Sequence, residues 1–290
     1  MKEAVAERRY AWVVVGLLWV VALLNYMDRQ MLSTMKGAMM VDIIELEKAE
    51  NFGRLMAVFL WIYGLMSPVA GIIGDRLNRK WLIVGSLFVW SGVTFAMGYT
   101  HDYNVLYVLR ALMGVSEALY IPAGLSLIAD YHQGSTRSLA VGIHMTGLYM
   151  GQALGGFGAT VADSLSWQKT FHYFGIAGII YSVILIVLLR EYKYREKVRK
   201  PLAGGARVQP ESGITGPRPV AGGAGPKPVK GIPGLKSVLA GDGLKSVVSG
   251  LSVLLGMASF WMILFYFAVP SIPGWAVKNW IPTLFSSSLG

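Results

Sequence analysis

The chain has 290 residues, of which 54% are hydrophobic and only 14% are charged, and its mean hydropathy is +0.51. A soluble domain of this size could not cover so much apolar surface, so the composition indicates an integral membrane protein. The net charge of +10 does not indicate nucleic-acid binding, because the basic residues lie in the gaps between apolar runs. The absence of cysteine excludes disulfides and thiolate metal sites.

Seven apolar runs are long enough to cross a membrane as helices, because about 20 helical residues span a hydrocarbon layer ~30 Å thick. They cover residues 11–35, 52–74, 81–100, 103–131, 138–162, 171–189 and 247–285. The first run follows a short charged N-terminus and is too long for a cleaved signal peptide, so we expect a membrane helix there. The short connections predict that consecutive helices are antiparallel neighbours in an all-α fold.

Basic residues and composition predict the orientation and the domain boundaries. Most of the 26 Lys and Arg residues lie on the side of the N-terminus, which the positive-inside rule places in the cytoplasm. Residues 191–246 are rich in Pro, Gly and basic residues and cannot bury enough apolar surface to fold, which predicts a cytoplasmic linker. The linker would separate a six-helix bundle in residues 1–190 from a seventh helix in residues 247–290.

Charged residues interrupt two of the apolar runs. Arg110 and Glu117 are seven residues apart in the fourth run, so on a helix they share one face and lie about 10 Å apart. Since a charge at the bilayer centre costs roughly 2.5–3.5 kcal/mol, this pair predicts a polar interior that faces it. Asp28 and Arg29 follow 17 uncharged residues of the first run. They lie either at the water-exposed end of that helix or in the same polar interior.

The loop after the second run reads Gly71-Ile-Ile-Gly-Asp75-Arg76-Leu-Asn78-Arg79-Lys80. The pattern G-x-x-x-D-R-x-x-R-K between the second and third of six helices resembles the signature loop of the major facilitator superfamily. This resemblance implies a transporter with twelve helices in two halves, which works by alternating access. Asn78 stands where the family often has glycine, which implies a left-handed backbone there. The residues expected to form the cytoplasmic gate are Gly71, Asp75, Arg76, Arg79, Lys80, Asp130 and Arg137.

Two further motifs resemble one branch of that superfamily, the anion:cation symporters. They are an aromatic residue before Asp28-Arg29 in the first run, and R-x-x-x-G-x-x-E from Arg110 to Glu117. The resemblance implies that Arg29 and Arg110 bind a substrate carboxylate and that Asp28 and Glu117 handle protons. We expect the two arginines to lie at similar depth, with Glu117 deeper. The implied pocket-lining tyrosines are Tyr26 and Tyr63.

Three other residues are candidates for substrate binding. His144 and Gln152 project from the fifth run, although a histidine in a helix bundle is more often a structural hydrogen-bonding residue. Lys278 in the seventh run either reaches an anion or extends its ammonium group to the external surface. The fifth run also contains small residues that predict close helix packing, namely Gly142, Gly147, Gly151 and Gly155.

The combined prediction is a proton-coupled importer of a small organic anion, such as a sugar acid, in the bacterial inner membrane. No enzyme motif, cofactor motif or metal-ligand spacing is found, and the sequence leaves sodium open as the coupling ion. Two alternatives remain. The segment from Gly114 to Tyr120 also resembles the fourth helix of Spinster-like carriers of lipids and lysophospholipids. A transporter-like sensor would bind a ligand without carrying it.

The resemblance also implies that this chain is one part of a transporter. The superfamily has twelve helices, whereas the chain ends just after the seventh apolar run. The expected partners are therefore the lipid bilayer, the organic anion and a missing C-terminal half, with no nucleic acid. We expect no transport by these 290 residues alone.

Overall fold

The computed structural model describes residues 2–192 and, further along the chain, residues 255–262, 264–266, 269, 271, 273, 274, 277, 280 and 281. The chain divides into two compact units. One comprises residues 1–192 and 265–290, and the other comprises residues 193–264. In the second unit, Nε1 of Trp261 donates a hydrogen bond to the Leu255 carbonyl at 2.7 Å. The predicted linker beyond Tyr192 lies outside the described residues.

Residues 2–192, in the first unit, form nine α-helices. They are α1 (Lys2–Thr34), α2 (Lys36–Met40), α3 (Ala49–Arg76), α4 (Arg79–Met97), α5 (Tyr103–Ala118), α6 (Tyr120–Tyr131), α7 (Arg137–Gly155), α8 (Gly158–Leu165) and α9 (Trp167–Leu188). A 3-10 turn covers Ile44–Glu47. The described residues contain no strand, which confirms the all-α prediction. Among the residues that the structure describes, five stretches are long and apolar enough to cross a membrane: Arg9–Thr34, Ala49–Gly74, Arg79–Met97, Tyr103–Tyr131 and Trp167–Leu188.

The fourth predicted run is a nearly continuous rod made of α5 and α6. Leu119 between them keeps helical dihedral angles, with φ −75° and ψ −25°. Pro122 causes the interruption, because it has no amide N–H to donate to the carbonyl of Ala118. Just before the proline, the amide of Leu119 bonds to the Ser116 carbonyl at 3.3 Å, which is the spacing of a 3-10 turn.

The fifth predicted run is divided, so the prediction of one helix over residues 138–162 is wrong. α7 ends at Gly155, and α8 begins at Gly158. Glycine has a low helix propensity because its backbone loses the most conformational freedom, so Gly155 and Gly156 favour an interruption here. The predicted run at residues 247–285 lies mostly outside the described residues.

Asn78 begins α4 as a helix cap. Its dihedral angles, φ −69° and ψ 121°, are extended, so the expected left-handed backbone is wrong. Its side-chain oxygen accepts a hydrogen bond from the amide of Trp81 at 3.2 Å, which explains why asparagine suits the position. Asp102 caps α5 in the same way, accepting from the amides of Asn104 and Val105 at 2.7 and 3.1 Å.

Close packing of α7 on α1 fixes one side of the bundle. Three glycines of α7 face the α1 backbone: Gly147, Gly151 and Gly155. A Cβ atom on Gly147 would lie 2.7 Å from the carbonyl oxygen of Trp19, so only glycine permits this approach. Gly142, the fourth glycine of the predicted set, has nothing within 4 Å of such a Cβ. Three of the four predicted glycines therefore make the close helix contact.

Hydrogen bonds at the two ends of the bundle agree with alternating helix directions. At one end, the Tyr10 hydroxyl in α1 donates to the carbonyl of Leu188 in α9 at 2.6 Å. At the other end, the indole N–H of Trp167, at the start of α9, donates to Asp42 at 2.7 Å. The first of these ends contains the N-terminus and is the one predicted to be cytoplasmic.

Candidate functional site

The centre of the bundle contains an ion pair between α1 and α5. Nε of Arg29 donates a hydrogen bond to Oε2 of Glu117 at 2.6 Å. The Glu117 side chain is fully buried, whereas that of Arg29 is 17% exposed. We expected the two arginines to lie at similar depth and Glu117 to lie deeper; the Arg29 side chain nevertheless reaches Glu117 directly. Pairing is what makes a charge tolerable at this depth.

Aromatic rings enclose the guanidinium group of Arg29. Its Cζ lies 4.8 Å from the ring centroids of Tyr26 and Phe59 and 4.6 Å from that of Tyr63. Phe59 and Tyr63 are one turn apart on α3, with centroids separated by 5.8 Å. The predicted tyrosines thus lie beside Arg29, where ring faces attract the cation.

Arg110 lies in the same cluster but is not neutralised in the same way. Its guanidinium Cζ is 4.5 Å from the ring centroid of Phe59, so both arginines share this ring. Arg110 is 2% exposed, and within the described part of the chain no carboxylate oxygen lies within 4.0 Å of it. Its Nη1 lies 2.9 Å from the sulfur of Met113, which is only a weak acceptor. A buried guanidinium without a carboxylate can bind an anion.

Asp28 is buried next to Arg29 in the chain but makes a separate contact. Its Oδ2 accepts a hydrogen bond from the hydroxyl of Thr94 on α4 at 2.5 Å. Its Oδ1 has no hydrogen-bond partner among the described residues, and the same holds for Oε1 of Glu117. Each carboxylate therefore keeps one buried oxygen on which a proton can reside.

Glycine at position 114 allows α5 to approach α3 closely enough to build this cluster. A Cβ atom on Gly114 would lie 2.8 Å from the carbonyl oxygen of Phe59 and 3.3 Å from Cβ of Ile62. Gly114 stands between Arg110 and Glu117, one turn after the arginine. The glycine in R-x-x-x-G-x-x-E thus has a local packing reason.

The other predicted binding residues lie on α7 or outside the described residues. His144 is fully buried, and its ring centroid lies 6.0 Å from that of Tyr120. Neither ring nitrogen of His144 makes a hydrogen bond within the described ranges. Gln152 is half-buried on α7 and has an interaction partner. Lys278 lies outside the described residues.

The predicted gate residues separate into several groups. Nη1 of Arg79, at the start of α4, contacts Oδ2 of Asp130 near the end of α6 in an ion pair. Arg79 also donates to the carbonyl of Ser126 at 2.6 Å. Lys80 donates from Nζ to the Ile186 carbonyl at 2.7 Å. Arg137 is exposed and forms no ion pair with any described residue. Gly71 is half-buried in α3, while the side chains of Asp75 and Arg76 lie outside the described part.

Sequence reasoning missed three polar or aromatic members of the site. Phe59 touches both arginines, Thr94 holds Asp28, and Asn25 lies fully buried one turn before Arg29. The i, i+4 spacing of Phe59 and Tyr63 was a signal for a shared helix face. Thr94 lacked a comparable signal, because one threonine in an apolar helix usually bonds its own backbone, as Thr94 also does with Trp90 at 3.0 Å.

Sequence analysis also did not single out Lys36 as functional. It is buried in α2 beyond the first membrane stretch, with Nζ 4.9 Å from the ring centroid of Phe52 and 5.8 Å from that of Trp280. Burial lowers the pKa of Lys36. Among the described residues, no cluster of His, Asp or Glu is arranged to hold a metal ion.

Comparison with known proteins places these features in a family. The family model described as Major Facilitator Superfamily matches residues 18–290. Human protein spinster homolog 1 is 31% identical over 187 residues, a match that covers 61% of this chain and 34% of the relative. The sphingosine-1-phosphate transporter SPNS2 of Xenopus tropicalis is 28% identical over 193 residues, covering 63% of this chain and 37% of the relative. The chain thus spans about a third of the length of these curated relatives.

Solved structures give the same fold. A bacterial homolog of the human lysosomal transporter Spinster, in an inward-facing and unoccupied conformation, matches with a TM-score of 0.55 and 24% identity. That match covers 63% of this chain and 44% of the other. The occupied inward-facing form gives a TM-score of 0.56 with 23% identity, covering 63% and 45%. The match over residues 18–290, together with the all-helical fold, shows that this chain belongs to the major facilitator superfamily.

Proposed function

We propose that the chain is the N-terminal part of a secondary transporter that carries an organic anion together with protons. The observation that supports this function most strongly is Arg110, which is buried beside Arg29 and Phe59 with no carboxylate partner among the described residues. Burying a guanidinium is costly unless an anion compensates it, so the arrangement favours a site that a substrate anion completes.

Coupling between anion and proton follows from the bond between Arg29 and Glu117. When a substrate anion takes over Arg29, Glu117 loses its cationic partner and binds a proton more readily. Binding of the anion and of the proton then favour each other, and this coupling is reciprocal. Asp28, held by Thr94 at 2.5 Å, is a second proton site in the same cluster. Movement of the two halves around this site would complete the cycle.

The relatives favour an anionic lipid over a sugar acid as the substrate. One of them, the SPNS2 protein of Xenopus tropicalis, is named as a transporter of the lipid phosphate sphingosine-1-phosphate. A single-chain lipid with an anionic headgroup would place the headgroup between Arg29 and Arg110. Its chain would lie along Tyr26, Phe59 and Tyr63, whose rings cluster around the same guanidinium. A sugar acid, as in the anion:cation symporters, is the second candidate.

A binding comparison tests the function and ranks the substrates. The purified chain in nanodiscs is titrated with lysophosphatidate and with a hexuronate, and the Arg110→Gln variant is treated in the same way. We expect tighter binding of the lysolipid and loss of most of that binding in the variant. Equal binding of the lysolipid by the wild-type chain and by the Arg110→Gln variant would contradict the proposed site. Tighter hexuronate binding that depends on Arg110 would favour the sugar-acid transporter.

Flux measurements separate a carrier from a sensor. The chain is co-reconstituted with a C-terminal half from a related transporter, and uptake is driven first by a proton gradient and then by a sodium gradient. We expect uptake with the proton gradient alone. Binding without flux in either gradient would favour the sensor. Uptake driven by the sodium gradient would identify sodium, and not the proton, as the coupling ion.

The gate and the orientation are part of the same proposal. The ion pair between Arg79 and Asp130 would hold α4 and α6 together at the end that contains the N-terminus. This end would face the cytoplasm, in agreement with the distribution of basic residues. Because the chain contains no cysteine, single cysteines can be introduced at Gln133 and at Asp163 to report the orientation. A membrane-impermeant thiol reagent should label Gln133→Cys from the cytoplasmic side only and Asp163→Cys from the external side only.

A further inference from the structure

The hydroxyl group of Thr94 lies between two acceptors but carries a single hydrogen. Its Oγ1 is 2.5 Å from Oδ2 of Asp28 on α1 and 3.0 Å from the carbonyl oxygen of Trp90, one turn earlier on α4. Both oxygens are within hydrogen-bonding distance, yet one hydroxyl hydrogen serves only one of them with good geometry. The hydrogen therefore has two alternative positions, one between α1 and α4 and one within α4.

Burial makes the choice between these positions costly. Thr94 is 1% exposed and Asp28 is 5% exposed, so water does not readily replace a lost partner. Oδ1 of Asp28 has no hydrogen-bond partner among the described residues, and Oδ2 accepts from Thr94. A buried carboxylate that lost this donor would bear the full cost of an unsatisfied charged group. The Thr94 hydrogen therefore belongs to Oδ2 whenever Asp28 is ionised.

The charged groups that interact with Asp28 come from α1 and α5. They are Arg29 on its own helix, and Glu117 and Arg110 on α5. On another side, α7 packs against this part of α1 through glycines, which carry no charge. The charged residues of α4 are at its first turn, about 21 Å along the helix from Thr94. The contact from α4 to Asp28 is therefore made by an uncharged group.

Protonation of Asp28 reverses the direction of its bond to Thr94. With Asp28 ionised, the hydroxyl donates to Oδ2, and a separation of 2.5 Å is typical of an O–H group bonded to a carboxylate. With a proton on Oδ2, the carboxyl group becomes the donor and the Thr94 oxygen accepts. The Thr94 hydrogen then turns to the Trp90 carbonyl. Thr94 keeps its own hydrogen throughout, and the added proton stays on Asp28.

The partners of the two carboxyl oxygens place this proton on the side of Thr94. A proton on Oδ1 would be a buried donor without an acceptor in the part of the chain that the structure describes. A half-turn about the Cβ–Cγ bond exchanges the two oxygens, so a proton that arrives on the unpartnered oxygen can be brought to face Thr94. The neutral acid is then hydrogen-bonded, as the ionised form is.

We propose that Thr94 is a positioning residue for proton binding, which keeps Asp28 hydrogen-bonded in both protonation states and transmits the change to the α4 backbone at Trp90. A hydroxyl that bonds the carbonyl one turn earlier competes with the helical amide and often bends the helix. Proton uptake on α1 would thus alter α4. The inference rests on the proposed function, because it takes Asp28 as a group that binds and releases a proton.

Infrared spectroscopy of the whole chain in nanodiscs follows both ends of this contact. The carboxyl band of Asp28 is assigned by its loss in Asp28→Asn, and the backbone carbonyls of the nine tryptophans are labelled with ¹³C. On acidification we expect the Asp28 band to appear and one labelled band to move to lower wavenumber, because the Trp90 carbonyl gains a hydrogen bond. In Asp28→Asn this labelled band should not respond to pH.

The outcomes separate this inference from the proposed function. If the Asp28 band titrates while no labelled band moves, or if the labelled band still moves in Asp28→Asn, the role of Thr94 is contradicted and the proton site is retained. If no Asp28 band appears at any accessible pH, Asp28 is not a proton site and the inference fails with it. The measurement requires neither substrate nor flux, so a failure of transport leaves its result unaffected.

Substitutions at Thr94 distinguish a positioning role from a structural one. Thr94→Val keeps the shape and removes the hydroxyl, so the labelled band should no longer move. Asp28 should then bind its proton about tenfold more tightly, because the lost bond to the ionised form is the stronger of the two. Thr94→Ser keeps the hydroxyl and should restore both wild-type responses.

Thr170→Val is the matched control for loss of a buried hydroxyl. Thr170 on α9 is buried, and its hydroxyl donates to the Ser166 carbonyl one turn earlier at 2.8 Å, as Thr94 can to Trp90. No carboxylate is among its printed partners in the described residues, so both responses should stay as in wild type. Wild-type behaviour of Thr94→Val, failure of Thr94→Ser to restore it, or equal changes in Thr170→Val would overturn the proposal.

Discussion

Arg29 bonds directly to Glu117 at 2.6 Å, while Arg110, on the same helix as Glu117, has only aromatic and sulfur neighbours within hydrogen-bonding or stacking range among the described residues. The two arginines therefore differ in their partners although both touch Phe59. Under the proposed function, Arg29 is paired with Glu117 before substrate binds, and Arg110 is the cation available to a substrate anion. This asymmetry leads to separate expectations for the two positions.

Arg110→Lys should weaken anion binding about tenfold, or ~1.4 kcal/mol. A lysine keeps the charge but replaces a planar group with two parallel donors by a single strongly hydrated ammonium. Calorimetric titration of the variant with lysophosphatidate measures the effect. Arg54→Lys is the control, because Arg54 is exposed and pairs with the exposed Glu50 one turn earlier. Equal affinities of Arg110→Lys and wild type would remove Arg110 from the binding site.

Glu117→Gln should separate anion exchange from proton-driven uptake. Glutamine can still accept a hydrogen bond from Arg29 but cannot take up and release a proton. In co-reconstituted vesicles we expect the variant to retain exchange of labelled for unlabelled anion and to lose accumulation driven by a pH gradient. Undiminished gradient-driven accumulation would show that Glu117 does not couple the proton. Asp28→Asn, tested beside it, measures how much coupling the second carboxylate provides.

The helices and the identity of the charged residues were predictable from sequence, but their pairing was not. Apolar runs located α1, α3, α4 and α9, because hydropathy and length suffice for a membrane helix. Which side chain meets Glu117 depends on how far α1 is shifted along α5, and no periodicity encodes that shift. In the structure, the long Arg29 side chain from α1 reaches Glu117 at 2.6 Å, while Gly114 lets α5 approach the Phe59 backbone of α3.

Residues without charge were the hardest to assign to the site. Phe59 lies in an apolar run where an aromatic side chain normally faces lipid or core, and its position between two guanidinium groups emerges only from packing. Asn78 illustrates the opposite case. A family substitution pattern implied a left-handed backbone, whereas the local rule for helix caps gave the observed conformation.

The pair formed by Arg79 and Asp130 should show measurable coupling. A double-mutant cycle with Arg79→Gln and Asp130→Asn is expected to give ~1–3 kcal/mol, because both side chains are largely buried and Arg79 also bonds the Ser126 carbonyl. The matched cycle at Glu50 and Arg54 should give only about 0.3–0.5 kcal/mol, since that pair is exposed. Unfolding of micelle-bound protein by dodecyl sulfate measures both. Equal coupling energies would argue against a structural gate contact.

Lys36 should make stability depend on pH in the alkaline range. Burial lowers the pKa of Lys36 below its ordinary value of 10.5, so between these two values the unfolded chain binds more protons than the folded one. The free energy of unfolding contributed by this group therefore rises with pH through that window. Lys36→Gln should lack this rise, which is measured as the difference between the two unfolding curves from pH 8 to 11. Parallel curves would contradict the assignment.

Gly151→Ala should destabilise the bundle by ~1–3 kcal/mol, the usual cost of forcing an extra methyl group into a packed contact. The added Cβ would overlap the carbonyl group of Leu23 in α1, and this part of α1 leads to Asp28 and Arg29. Because α1 must move away, anion affinity should fall together with the thermal midpoint. Gly142→Ala is the matched control on the same helix, since nothing lies within 4 Å of its Cβ, and it should leave both quantities unchanged or slightly raise the midpoint. If Gly151→Ala and Gly142→Ala behaved alike, close packing of α7 on α1 would not be what positions the charged cluster.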